Sequence, residues 1–464
     1  MKKAILSALT IIISFGSVYS QKSLHSTYFL NEWSKRHTHN AAFAPEYGYF
    51  SLPVIGGVEV MAASNSGLST YLYPYGSEYV TFMHESVSSA DFLKKLDSSV
   101  YVNQGLSLDI LSFGFFIKRT NFISFDVKLK ERLNVQVPKD LFALMKNGMS
   151  NSYNSFNIKN LGIEQTNYLQ FAAGYSRDIN EQIRVGGSVK YLYGIASERI
   201  NYNRFDVTLN HDRFEVETEG EATVMSNMVK FSTDEEGYFN LNDINFGFDS
   251  FAPAGNGFAV DLGVTYKPIK NLTLALAFND LGFMSWKAAS IQKGHAVGNV
   301  NFTGFNEIEF AEIGSSIEQQ IEQLTDDAME LIKFKEDSDA KNIMERTPFT
   351  FNLSAEYSIF NRDDHDILVG LLWQTYSTPV TRNTNELVLA LTAKALPWLT
   401  FSGTCEFLHK DYNRFGLAMN LSPLGFNFFI ASDFLSQKFN PQFIPINKFY
   451  VNVAFGLSFS LDNF

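Results

Sequence analysis

From Asn452 to Leu461 the chain alternates without a break. Val453, Phe455, Leu457, Phe459 and Leu461 are apolar, and Asn452, Ala454, Gly456, Ser458 and Ser460 between them are small or polar. A strand sends successive side chains to opposite faces, so one face here is greasy and the other small and wet. A sandwich would cover the greasy face with a second sheet. A membrane barrel would turn it to lipid and the other face to the lumen. The second solution is favoured because the polar faces carry no apolar period of their own.

The same period recurs along the chain. Ile123, Phe125, Val127 and Leu129 alternate with Ser124, Asp126, Lys128 and Lys130. Stretches 169–175, 183–191, 258–264, 272–278, 349–359, 387–393 and 415–421 repeat the pattern. One stretch changes phase: Leu106, Leu108 and Ile110 give way to Leu111, Phe113, Phe115 and Ile117, which predicts a bulge near Ile110.

The connections supply a topological test. Short turns are expected at 119–121, 178–182, 268–271, 361–366, 396–398 and 422–425, and long ones at 136–157, 197–256, 283–347, 377–385 and 434–447, with 410–411 the short member of the second set. Alternation of tight and long connections is the asymmetry of outer-membrane barrels. The fold class expected is all-β, a transmembrane antiparallel barrel of about 14 strands. Residues 205–218 form either an external hairpin or extra wall strands that raise the count to about 16.

Composition fits this reading. Only 45% of the residues are hydrophobic, mean hydropathy is −0.08, and after the N-terminal stretch no apolar run is long enough to span as a helix. Lys2 and Lys3 followed by the apolar stretch 4–18 read as a secretory signal over 1–20, cleaved before Gln21. Residues 21–52 are then expected to form a plug-like segment and 53–464 the barrel, with short helices at 89–96 and 138–146. Segment 307–345 reads as an acidic amphipathic helical insertion, with Ile313, Ile317, Ile321, Leu324 and Ile332 at helical spacing as a partner or gate surface. A net charge of −12 argues against nucleic acid. The single cysteine, Cys405, shares a strand face with Phe401 and Phe407 and reads as a lipid-facing filler.

No catalytic or cofactor motif stands in the sequence: there is no zinc-protease helix, nucleophile elbow or phosphate loop. The reading is therefore of a non-enzyme without cofactor. His37 and His39 could seed a metal site but lack a third ligand. Asp326, Asp327 and Glu330 could face a cation, though no calcium loop is present. The inward positions include Asp126, Lys128, Arg184, Lys190, Asp261, Glu356, Lys394, Glu406 and Arg414, expected to line the lumen and to be paired or wet. Ile110 and Leu111 mark a candidate lateral gap.

Several stretches carry a resemblance. His39-Asn40-Ala41-Ala42-Phe43-Ala44-Pro45, Pro138-Lys139-Asp140-Leu141-Phe142, Gly174-Tyr175-Ser176-Arg177 and Asp280-Leu281-Gly282-Phe283-Met284-Ser285-Trp286 resemble a family of Bacteroidota outer-membrane proteins of unknown function. In pattern that family is similar to FadL-type channels and to PorV, a shuttle barrel of type IX secretion. The resemblance implies a Gram-negative outer-membrane location among lipid and the binding or passage of a hydrophobic small molecule. Its alternative implication is a scaffold that docks a secreted or surface protein at its external loops.

Overall fold

The computed structural model describes residues 24–148, 155–209, 214–247, 252–302, 333–362, 365–377, 384–408, 413–423, 425–435 and 447–461. Its wall is a closed antiparallel barrel of 14 strands. Strand β1 comes in two pieces, Gly48–Ser51 and Val58–Ser64. It is followed by β2 (Ser99–Ile117), β3 (Asn121–Pro138), β4 (Leu161–Asp178), β5 (Ile183–Leu209), β6 (Gly255–Ile269) and β7 (Leu272–Trp286). Strand β8 (Phe349–Arg362) is prolonged beside β7 by the short piece Ile343–Arg346. The wall is completed by β9 (His365–Ser377), β10 (Thr384–Leu396), β11 (Leu399–Leu408), β12 (Asn413–Leu421), β13 (Phe426–Leu435) and β14 (Phe449–Leu461). Strand β14 pairs with β13 on one side and with both pieces of β1 on the other, so the wall closes on itself.

One boundary differs from expectation, and one of two alternatives is decided. The wall begins at Gly48 rather than at residue 53, because Gly48–Ser51 already pairs with β14 and β2. The expected 205–218 element is a hairpin. The outer half of β5 pairs with Phe214–Ser226, which pairs in turn with Ile291–Phe302, and all three rise above the wall. The lower half of β5 pairs with β6, so the hairpin adds no strand to the barrel. The expected helix with Ile313, Ile317, Ile321, Leu324 and Ile332 lies outside the described residues.

The period of two places the apolar side chains outside. Leu274, Leu353, Leu371, Leu389, Leu417 and Ile430, on six different strands, are each at least 38% exposed. A belt of this size is costly in water and suited to lipid. Cys405 stands opposite Leu389 and Phe415 in register, on the same outward face, and is half-buried. Inside, Ser, Thr, Asn and Gln share the inward positions with Gly, Ala and charged residues, and two apolar clusters are made by the N-terminal segment against the wall. Leu24, Leu30 and Trp33 pack on Ala418, Phe429, Ala431 and Ala454. Tyr28, Phe29 and Phe43 pack on Leu368, Leu372, Val388 and Ala390. A third cluster, with Phe82, Phe92, Phe156 and Val207, ties the long connections together at the other end of the wall.

Candidate functional site

Residues 24–47, termed the plug, pack against inward-facing side chains of the wall. The segment opens with one helical turn, His25–Tyr28, makes a tight turn at Arg36–Thr38 and leaves to join β1. Many of its charged and polar groups find a wall partner. Arg36 forms an ion pair with Glu356 and its guanidinium lies 3.9 Å from the Phe43 ring centre. His37 Nε2 is 3.1 Å from Asp126, whose other oxygen accepts the Ser112 hydroxyl at 2.6 Å. Glu32 accepts from Thr400 at 3.1 Å and faces Lys394 at 3.6 Å. Asn279 and Asn352 both donate to the His39 carbonyl. His37 and His39 diverge: His39 Nε2 turns to the Thr27 hydroxyl at 2.8 Å, so the pair does not converge on one ion.

Two glycines show how closely the segment is fitted. A side-chain carbon at Gly370 would overlap the Phe29 ring, and one at Gly263 would overlap the Asn40 amide. Both glycines serve close approach rather than backbone freedom.

The firmest contact is at His25. Its Nδ1 is 2.8 Å from Glu406 and its Nε2 is 2.8 Å from the Gln374 side-chain oxygen. With an oxygen on each ring nitrogen the ring is held as imidazolium. Burial alone would lower its pKa, but the carboxylates of Glu406, Glu386 and Asp433 outweigh burial and push it up to about 9. The His25 and Ser26 N–H groups donate to Asp433 at 2.6 and 3.2 Å. Arg414 binds Glu386 and Glu406 together and lies 4.2 Å from the Tyr450 ring centre. His25, Glu386 and Glu406 are close enough to ligate a metal. Arg414 already supplies the cation to both carboxylates, and the cluster is complete as an ion-pair network. His39 is the opposite case: burial, then the charges of Arg36 and His25, hold its pKa far below the usual range, so it stays neutral.

The nine inward residues read from the sequence thus divide. Asp126, Glu356, Lys394 and Glu406 touch the plug, and Arg414 braces Glu406. Lys128 meets Asp109 at 3.3 Å, Lys190 meets Asp261 at 2.7 Å, and Arg184 meets Asp178 at 2.9 Å, all within the wall. The plug residues His25, Lys35 and Arg36 and their partners Asp109, Glu386 and Asp433 escaped sequence reasoning. The available signal was a charge at an inward position of an otherwise small or polar row.

The wall has one large irregularity. Between the two pieces of β1, residues 52–57 stand opposite only 456–457 on β14 and 109–111 on β2. The surplus chain loops out, with Val54 at φ 68°. Val54 and Ile55 are 52% and 48% exposed. The adjoining register shift lies between Asp109 and Leu111, and Ile110 is exposed beside it. On the inner side, Lys35 donates to the Gly56 carbonyl at 2.6 Å and pairs with Asp109.

Above the plug, on the side of the long connections, lies a cavity of about 210 Å³. A smaller one of about 70 Å³ reaches Gly57 at the irregularity. Thr38, Glu59, Ser107 and Lys128 line both. The large cavity mixes apolar groups, Phe122, Tyr168, Leu192, Met284 and Trp286, with charges of both signs. Those charges form two chains across the lumen. One runs Lys130–Asp280–Lys190–Asp261 and the other Arg132–Glu164–Arg199–Glu345.

A family model described as a family of unknown function (DUF5723) matches residues 41–433. The chain belongs to that family. No curated protein matches it in sequence. Among solved structures it is similar to the Ralstonia pickettii toluene transporter TbuX, at 8% identity and TM-score 0.45 over 93% of this chain and 94% of that one. It is also similar to a Pseudomonas aeruginosa FadL homologue, at 10% identity and TM-score 0.42 over 97% and 100%. The Pseudomonas putida toluene transporter TodX gives 8% identity and TM-score 0.40 over 96% and 95%. At these values no residue role passes from them to this chain.

Proposed function

We infer that this protein is an outer-membrane conduit for a small molecule with an apolar body. The solute is captured in the large cavity and admitted when the plug shifts. The observation that carries the reading is the stoppered lumen: a closed, lipid-suited wall, a fitted plug and a partly apolar cavity outside it. The four side chains shared by the two cavities make a path from the large cavity toward the irregularity at 52–57. Release sideways through the wall at that point, beside Ile110 and Leu111, is the route we favour, with Lys35 and Asp109 as the inner latch. The rival reading, docking of a secreted protein, depends on the segment 307–345, whose Ile313–Ile332 face lies outside the described residues.

A reversible lock tests this. The Ser34 and Ser458 hydroxyls are 2.9 Å apart, one on the plug and one on β14. A Ser34→Cys/Ser458→Cys variant, in a Cys405→Ala background, is reconstituted in planar bilayers. Oxidised protein is expected to be silent, and reduction is expected to restore brief conductance events. Equal conductance in both states would sink the moving-plug mechanism.

A further inference from the structure

The charge chains of the large cavity are unfinished at one end. Lys130 Nζ is 3.9 Å from Asp280 Oδ2, and Arg132 Nη2 is 3.7 Å from Glu164 Oε1. Both distances are beyond a hydrogen bond. Lys130 and Arg132 are two residues apart on β3 and so face the same way. The buried Arg132 Nε has no partner among the described residues. The same holds for Gln170 Oε1 and Trp286 Nε1, on side chains only 4% and 1% exposed that line the cavity. Donors and acceptors are left over around one space.

Asp280 is built toward that space. It holds φ 61°, a left-handed conformation that few L-residues adopt. The register of β6 and β7 slips there, its N–H donates to Asp261 at 2.7 Å, and its carbonyl accepts the Thr347 hydroxyl at 2.6 Å. Its side chain keeps 31% exposure, against 6% for Asp261. Its surroundings hold that conformation and leave the carboxylate facing the cavity. Asp280, Met284 and Trp286 all belong to one sequence motif, Asp280-Leu281-Gly282-Phe283-Met284-Ser285-Trp286.

A pure hydrocarbon would leave these polar groups without water or partner, which is costly. A simple anion would satisfy Lys130 and Arg132 but face Asp280 and Glu164. A molecule carrying both charges meets all of them, and the loose Lys130–Asp280 gap suits the two charged groups flanking one α-carbon. We propose that the cavity binds a zwitterion, an α-amino acid with an apolar side chain. Its carboxylate meets Lys130 and Arg132, its ammonium meets Asp280 and Gln170, and its side chain lies toward Tyr168, Met284 and Trp286. This deepens the conduit reading and rests on it, since the cavity must be where the solute is received.

The test is calorimetric titration of the full-length protein in detergent with four probes that share one benzyl body: phenylalanine, N-acetylphenylalanine, phenylalanine amide and toluene. Phenylalanine is expected to bind tightest, with each singly charged analogue weaker by about tenfold, the size of one lost charge-assisted hydrogen bond. Asp280→Asn is expected to narrow the gap between phenylalanine and its N-acetyl form, and Lys130→Met the gap between phenylalanine and its amide. A variant that failed to fold would lose all four probes together, so the selective loss is the readout. The proposal is overturned if toluene or a singly charged analogue binds as tightly as phenylalanine, if either variant leaves its gap unchanged, or if none of the four binds. The cysteine lock, which needs no solute, tells failure of this proposal from failure of the conduit.

Discussion

The lumen differs between its two sides: one is filled by the plug, and the other keeps a cavity with loose ion pairs among tight ones. Against β9–β13, strands of 9 to 13 residues, the plug fills the space and charged groups meet in direct contact, with His25 and Glu406 at 2.8 Å. Against β2–β5, strands of 18 to 27 residues, a cavity remains above the plug, and beside tight pairs such as Lys190–Asp261 at 2.7 Å stand loose ones such as Lys130–Asp280 at 3.9 Å. The energetics differ accordingly. Buried, fully paired charge is expensive to break, because removing one partner strands the other in a dry place. Loose, partly wet pairs hold little and can exchange partners at small cost. On the proposed reading, tight charge would hold the plug in its seat and loose charge would be free to meet a solute.

The largest effect should come from breaking the locked half. Glu406→Ala leaves His25 and Arg414 short of a buried carboxylate and is expected to cost about 3–5 kcal/mol, read as a fall in the denaturation midpoint of the detergent-solubilised protein. A cost no larger than that of Arg132→Met would erase the contrast between the halves. Gly370→Val comes next. The new side chain must displace Phe29, an overpacking worth about 1–3 kcal/mol, and the expected outcome is cleavage of residues 24–47 by added protease together with conductance without reduction. Protection equal to wild type would mean that the plug tolerates a different seat.

A pH series sharpens the comparison from inside the plug. The folded-state pKa of His25, about 9, lies above its ordinary value of 6.5. Its stabilisation is therefore complete below pH 6.5 and is lost as pH rises through about 9. His39, held neutral, acts in the other direction and costs stability as pH falls below its ordinary value of 6.5. Plug protection should decline on both sides of neutrality, and His25→Gln should flatten the alkaline arm alone. An unchanged alkaline arm in that variant would rule out His25 as its source. The smallest effect belongs to Arg132→Met in the open half: less than about 1 kcal/mol of stability, with the same melting curve as wild type and a changed ligand preference.

Much of this was legible in the residues. Alternation alone placed Asp126, Glu356, Glu406 and Arg414 on the inward face, because a strand leaves a side chain two choices of direction. Short and long connections fixed the number of strands to within the ambiguity of 205–218. Which inward charges meet was beyond the sequence. His25 and Glu406 are 381 positions apart by subtraction of their numbers, and Lys130 reaches Asp280 across strands that are not neighbours. The loop-out at 52–57 was also hidden, since it appears only when β1 is laid between β14 and β2 and six residues must match two and three. Local periodicity is a property of each strand and survives in the one-dimensional chain. Partnership across a lumen depends on closure, register and the path of the plug, and those exist only once the wall has joined itself.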